Sequence, residues 1–118
     1  MHVIICGGRT YVFNDADRRW LETMGITKVY VGGASGADSS AEWWAKARGV
    51  PCVVTHADWA THGKAAGPIR NATMLASLKR TAPGTEIAVI AFPGGRGTAD
   101  MIQRAESAGM RVIRKGDV

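Results

Sequence analysis

Two cysteines among 118 residues leave no basis for a disulfide scaffold. Cys6 and Cys52 each lie in or beside an apolar, strand-like run, as small buried thiols do in a reducing compartment. Histidine is equally sparse. His2, His56 and His62 show neither CxxC nor HExxH spacing, so no metal site is expected, and His56 with Asp58 reads as a solvated loop. No apolar run approaches the length that crosses a bilayer, and Met1-His2-Val3-Ile4-Ile5 lacks the basic region and cleavage site of a signal peptide. The expectation is a cytoplasmic protein with no membrane partner. A block of lysines or arginines is missing too, although the net charge is +5, which excludes a polybasic tail that grips nucleic acid nonspecifically. The positive balance favours an anionic partner, nucleotide or nucleic acid, and the length suits one domain spanning 1–118.

Glycine, by contrast, is abundant, with 15 residues. The stretch from Ile87 to Ala105 shows where it matters. An apolar run, Ile87-Ala88-Val89-Ile90-Ala91-Phe92, closes on Pro93-Gly94-Gly95-Arg96-Gly97-Thr98 and gives way to the helical spacing of Met101, Ile102 and Ala105. This reads as a buried strand, a tight loop and a helix. Glycines let the backbone approach a ligand closely, and the free N–H groups at the helix start point at whatever lies above the loop. Arg96 and the Thr98 hydroxyl add a charged and a neutral donor, so Gly94, Gly95, Arg96, Gly97 and Thr98 are expected to hold phosphate.

The same unit recurs along the chain. Val3 to Cys6 is a first strand feeding Gly7-Gly8-Arg9-Thr10, and Asn14 or Asp15 caps a helix carrying Phe13, Trp20, Leu21 and Met24 up to Gly25. Lys28 to Val31 is a second strand. It runs into Gly32-Gly33-Ala34-Ser35-Gly36-Ala37-Asp38 and a helix through Ala41, Trp44 and Ala45, which stops at Gly49-Val50-Pro51. Gly33, Ser35 and Gly36 can form a second N–H-lined concavity, whereas Asp38 is expected to cap the helix, with a ribose hydroxyl as its other partner. Cys52 to Val54 is a third strand, followed by a polar, irregular segment from Thr55 to Pro68. Long loops of this kind are often functional, and Trp59 is its notable residue. Its ordinary role is to pin the loop to the core, stacking on a base being the rarer one.

Pro68 opens a helix through Ile69, Arg70, Asn71, Met74, Leu75 and Leu78. Arg70 lies near its start, at the edge of the apolar stripe, where an arginine is usually solvated or ion-paired but can also reach an anion over the sheet. Ala82-Pro83-Gly84 turns into the fourth strand, and Arg111-Val112-Ile113 is a fifth, edge-like strand before a charged tail. Strands alternating with helices predict an α/β fold, a doubly wound Rossmann-like parallel sheet of about five strands with helices on both faces. Every strand-to-helix loop then opens at the carboxyl edge, and if the order is 3-2-1-4-5 the first and fourth strands lie side by side.

Phe92-Pro93-Gly94-Gly95-Arg96-Gly97-Thr98, the Gly32 to Asp38 loop and Ala66-Gly67-Pro68-Ile69-Arg70-Asn71-Ala72-Thr73-Met74 together resemble the SLOG superfamily of Rossmann-like nucleotide-binding proteins. That superfamily includes the cytokinin-activating phosphoribohydrolases (LOG) and the DNA-processing protein DprA. The pattern is most similar to its small YspA-related, DUF2493-type branch, in which an early Gly-Gly-Arg and an Ala-Asp-Trp stretch accompany these motifs. The resemblance covers nearly the whole chain. It implies a pocket for a nucleotide or nucleotide-derived molecule, with Gly8, Arg9, Thr10, Arg70 and Asn71 beside the phosphate loop and no required cofactor other than that ligand.

One departure bears on catalysis. The phosphoribohydrolases carry a glutamate three residues after the threonine, and here that position is Met101. Cleaving an N-glycosidic bond benefits from a carboxylate that positions water or stabilises the developing cation. Met101 can do neither, and Asp100 is rotated about 100° from it on a helix. Asp38, Arg70 and Asp100 are therefore the catalytic candidates, and three functions are in view. A nucleotide-binding sensor or processing module comes first, a nucleotide hydrolase second, and DprA-like binding of single-stranded nucleic acid third. Trp43 and Trp44 are helix neighbours that cannot both face the sheet, so one rim tryptophan is expected, and with it a homo-oligomer.

Overall fold

Alternate residues of a strand covered on both faces must each find apolar partners. In the computed structural model, which describes residues 1–115, strand β1 (His2–Cys6) sends Val3 and Ile5 into one apolar layer and Ile4 into the other, all three fully buried. Strands β2 (Lys28–Val31), β3 (Cys52–Val54), β4 (Ile87–Ala91) and β5 (Val112–Arg114) complete the sheet. Every pairing is parallel and the order is β3-β2-β1-β4-β5, the doubly wound arrangement expected from the alternation of elements. The expected charged tail lies outside the described residues from Gly116 onward.

Five helices connect the strands: α1 (Asp15–Glu22), α2 (Ala37–Ala47), the single turn α3 (Trp59–His62), α4 (Ala66–Lys79) and α5 (Arg96–Ser107). Leu21 of α1 and Ala41 and Trp44 of α2 pack with Val3, Val29 and Ile90, beside the tilted ring pair of Phe13 and Phe92. On the other face Met74 and Leu78 of α4 and Met101 and Ala105 of α5 pack on Ile4 and Val89. Each of these large side chains contributes roughly 1.5–3 kcal/mol by leaving water, so the i, i+4 spacing of Met74 with Leu78 is enough to seat a helix. Trp44 is 2% exposed and its neighbour Trp43 is 67% exposed beside Val12, which follows from the 100° step between them. Among the described residues no helix is long and apolar enough to cross a membrane.

The segment from Thr55 to Pro68 departs from the irregular loop its composition suggests. Trp59–His62 forms a helical turn, Gly63–Ala65 a 3-10 turn, and α4 already begins at Ala66, two residues before Pro68. Asp58 starts the turn by accepting the Thr61 amide at 3.2 Å. A helix of one turn has no periodicity to read.

The entry to α1 ties down the end of the described chain. Asn14 accepts the Asp17 amide at 2.8 Å, and Asp17 accepts the Asn14 amide in return at 3.1 Å, a reciprocal cap. Asp17 is 2% exposed and also takes hydrogen bonds from the Tyr11 hydroxyl at 2.8 Å and the Lys115 ammonium at 2.9 Å. Burial alone would raise this carboxyl, but Lys115, the Asn14 amide and Tyr11 together outweigh it and hold it below the usual range. A carboxyl depressed in the fold stabilises above its unfolded pKa, and that contribution is lost as pH falls through the folded value. Asp17→Asn is therefore expected to lower the Tm by about 5–10 °C at pH 7 and by much less at pH 3, in thermal denaturation at both values.

Candidate functional site

β1 and β4 end level with one another, Cys6 opposite Ala91, and the chain leaving each turns over the same spot. The Phe92 amide donates to the Cys6 carbonyl at 2.9 Å and the Gly8 amide to the Pro93 carbonyl at 2.8 Å, so the two loops are laced together. Gly7 makes the approach possible. A Cβ there would stand 2.6 Å from Cβ of Ala37 and 2.9 Å from Cβ of Phe92, neither of which can move aside.

Above this junction lies a cavity of about 470 Å³. Cys6, Gly7, Gly8 and Arg9 line it from β1; Gly32, Ala34 and Asp38 from β2 and α2; Arg70, Asn71 and Met74 from α4; and Gly95 to Thr98 with Met101 from α5. Gly95 occupies the cap position of α5 without a side-chain cap, and the first intrahelical bond runs from Ala99 to the Gly95 carbonyl at 3.0 Å. The amides of Arg96, Gly97 and Thr98 thus have no acceptor within the helix and stand at its positive end. Thr98 is buried there, whereas Arg96 is exposed.

Arg70 takes the reach over the sheet rather than a solvated pose. Its Nη1 donates to the Gly32 carbonyl at 2.6 Å and its Nε to Oδ1 of Asn71 at 3.0 Å. Gly32 must be glycine for this, since a Cβ would lie 2.6 Å from Nη1 and 2.8 Å from Cζ of Arg70. Asn71, itself buried, passes the restraint on, its Nδ2 donating to the Gly97 carbonyl at 3.2 Å and to Oδ2 of Asp100 at 2.9 Å. Asp100 also accepts Nε of Arg104 at 2.9 Å and borders the outer groove between α4 and α5 instead of the cavity. That groove, about 600 Å³, is bordered by helix-surface side chains such as Lys79, Gln103 and Ser107, and no helix start opens on it.

Asp38 is the carboxylate of the cavity, 7% exposed. Its capping takes a different form from the expected one: the cap position of α2 is Gly36, and Asp38 reaches back to accept the Ala34 amide at 3.2 Å. Burial raises its carboxyl, offset only in part by the Ala34 amide, the charge of Arg70 and the Gly32 amide. Cys6, beneath it, is pushed up to about 12, by burial first and the nearby Asp38 charge second, so at neutral pH it is a thiol and not a nucleophile. Met101 borders the cavity while 1% exposed.

A second cavity of about 430 Å³ adjoins the first and shares Arg9, Gly32, Ala34 and Arg70 with it. Gly33, Ser35, His56, Ala57 and Trp59 complete its walls. Ser35 is fixed by donating to the Arg9 carbonyl at 3.0 Å. Of the residues marked out from sequence, Thr10, Gly36, Gly94 and Asp100 border neither cavity. Thr10 is exposed on the turn, Gly36 sits behind the Gly8–Arg9 wall, and Gly94 is exposed on its loop, where a Cβ would meet the Gly8 amide nitrogen at 2.7 Å. Cys6 and Met74 were not foreseen, whereas Gly32 lies in the expected Gly32 to Asp38 loop and His56 in the polar segment after β3. Neither missed residue carries a readable signal, since each is an apolar-run residue like its neighbours.

The chain is 37% identical over 109 residues to the Gene 61 protein of Mycobacterium phage D29, a match that takes in 86% of this chain and 81% of the phage protein. Residues 1–62, which contain β1, the Gly7 to Thr10 turn, β2 and the Gly32 to Asp38 loop, match the family model described as YspA, cpYpsA-related SLOG family. The parallel sheet, the laced glycine loops and these matches agree, and the chain belongs to the YspA, cpYpsA-related SLOG family.

Proposed function

We propose that this protein binds a nucleotide or nucleotide-derived small molecule at the carboxyl edge of its sheet, as a sensing or processing module. The observation that carries this reading is the charge of the larger site cavity. Three arginines, Arg9, Arg70 and Arg96, and the uncapped start of α5 border it, against one carboxylate, Asp38, whose ionisation burial disfavours. Such a lining suits an anion, and a helix start framed by glycines suits a phosphate. Phosphate rests on the amides of Gly97 and Thr98 with Arg96 outside it, Arg70 reaches it from α4, and Asp38 accepts from a sugar hydroxyl.

A thermal-shift screen against AMP, ATP, NAD, ADP-ribose and cyclic dinucleotides tests this, since a ligand of the folded state raises the Tm by mass action. At least one nucleotide is expected to bind saturably. Arg96→Ala, at an exposed position, is expected to weaken it by about 5- to 20-fold with the Tm of the free protein unchanged. Absence of any hit, or full affinity in both the Arg96 and Arg70 variants, would overturn the reading.

A hydrolytic reading rests on Asp38, since a carboxyl raised by burial and facing the same cavity has the character of a general acid. Met101 and the outward-held Asp100 offer no second carboxylate. Analysis of each bound nucleotide for free base or phosphate separates the two: intact ligand supports binding alone, and fragments make Asp38→Asn the decisive variant.

A further inference from the structure

Of the two tryptophans that lie outside the apolar layers, Trp43 and Trp59, only Trp59 borders a site cavity. Phe13, Trp20, Trp44 and Phe92 belong to or pack against the apolar layer that α1 and α2 cover. Trp59 belongs to neither layer and is 49% exposed, so it does not pin its segment to the core. What it does is form a wall of the second cavity, its ring edge passing over α4 where Gly67 leaves space; a Cβ there would come within 3.3 Å of Cη2. A large apolar ring held half in water at the mouth of a polar cavity is a surface that a flat partner would cover.

The free protein already shows a flat partner there. The Arg9 guanidinium lies 5.8 Å from the Trp59 ring centroid, a cation resting on an indole. Two stacked contacts of about 3.5–4.0 Å need some 7–8 Å between outer walls, so a ring does not slide between the two, and Arg9 must yield its place. Its guanidinium makes no hydrogen bond among the described residues, so yielding costs a surface cation–π contact and nothing more. Arg9 borders both cavities, and the one it would turn into is the one edged by Arg70, Arg96 and the start of α5.

We infer that Trp59 is the stacking wall for a nucleobase, that the second cavity holds the base while the first holds the phosphate, and that the ligand class is therefore a nucleoside phosphate and not a phosphosugar. This rests on the nucleotide-binding reading and deepens it. Stacking needs only a π-face, so the preference extends to any base, with His56 and Ser35 at the rim left to discriminate among them.

The test is calorimetric titration of the full chain with AMP, GMP, CMP, UMP and ribose 5-phosphate, for the wild type, Trp59→Ala and Trp59→Phe. The wild type is expected to bind at least one of the four nucleotides about 5- to 100-fold more tightly than ribose 5-phosphate. Trp59→Ala is expected to erase that margin while leaving ribose 5-phosphate affinity unchanged, and Trp59→Phe to keep most of it. A margin that survives Trp59→Ala, equal loss for ribose 5-phosphate, or ribose 5-phosphate binding as tightly as every nucleotide would overturn the inference and leave the phosphate site standing. No binding by any of the five ligands would remove the nucleotide reading itself, and the inference with it.

Discussion

Arg70→Ala is expected to weaken nucleotide binding by about 100-fold while lowering stability at pH 7 by only about 1–2 kcal/mol. The two effects come from different atoms. Two of the arginine's donors are committed to the protein, at the Gly32 carbonyl and Oδ1 of Asn71, and their loss leaves a buried carbonyl short of a partner. The remaining N–H groups and the charge belong to the cavity, where hydrogen bonds to an ionised phosphate are about twice as strong as neutral ones. Arg70→Lys keeps the charge but loses the fork, and is expected to recover only part of the affinity. The structural share has its own signature. Asp38 is raised by burial, so ionising it costs stability as pH rises from the unfolded carboxylate value through the folded one, and Arg70 limits that cost. The variant is therefore destabilised more at pH 7 than at pH 4, by Tm at both values. Wild-type affinity in Arg70→Ala would show that the phosphate lies elsewhere.

Gly36→Ala is expected to cost about 3 kcal/mol or more, a Tm fall on the order of 10 °C or more, and to abolish nucleotide binding. At φ +75° and ψ −123° the residue occupies backbone space that L side chains rarely adopt. A Cβ would also run into the Gly8 carbonyl and the Arg9 backbone, which form one wall of the cavity. That wall is held from the other side by the Ala37 amide, which donates to the Gly8 carbonyl at 3.0 Å, so strain at Gly36 displaces the loop that carries Arg9. Gly49→Ala is the control. It has a similar φ of +67° with no atom within 4 Å of its Cβ position, and is expected to lose about 1 kcal/mol with binding intact. Equal destabilisation and equal loss of binding in the two variants would mean that the loop contact at Gly36 carries no weight.

How much of this could be read from the residues divides along the range of the interactions. The doubly wound class was legible because apolar runs alternating with helices leave few right-handed solutions, and the order 3-2-1-4-5 was one of them. The same logic brought the loops after β1, β2 and β4 to one edge, and the step of one residue on a helix turned Asp100 away from Met101. Trp59 was not legible. A tryptophan in a polar stretch is ordinarily an anchor, and only the three-dimensional course of the α3 turn shows that it has left the core. Arg70 was half legible: its position was readable, but the carbonyl that receives it belongs to Gly32, 38 residues away, and the space for it depends on a missing side chain.

The central strand pair also joins parts of the chain that are made far apart in time. β1 is bonded to β4, His2 to Ile87 through Cys6 to Ala91, so the middle of the sheet is closed by the strand pairing with the greatest separation along the chain. On a ribosome, Arg9, the Gly32 to Asp38 loop, Trp59 and Arg70 have all been synthesised before the glycines at 94, 95 and 97 exist. The start of α5 is thus among the last parts of the cavity wall to be synthesised, and a chain truncated before residue 95 lacks that wall altogether.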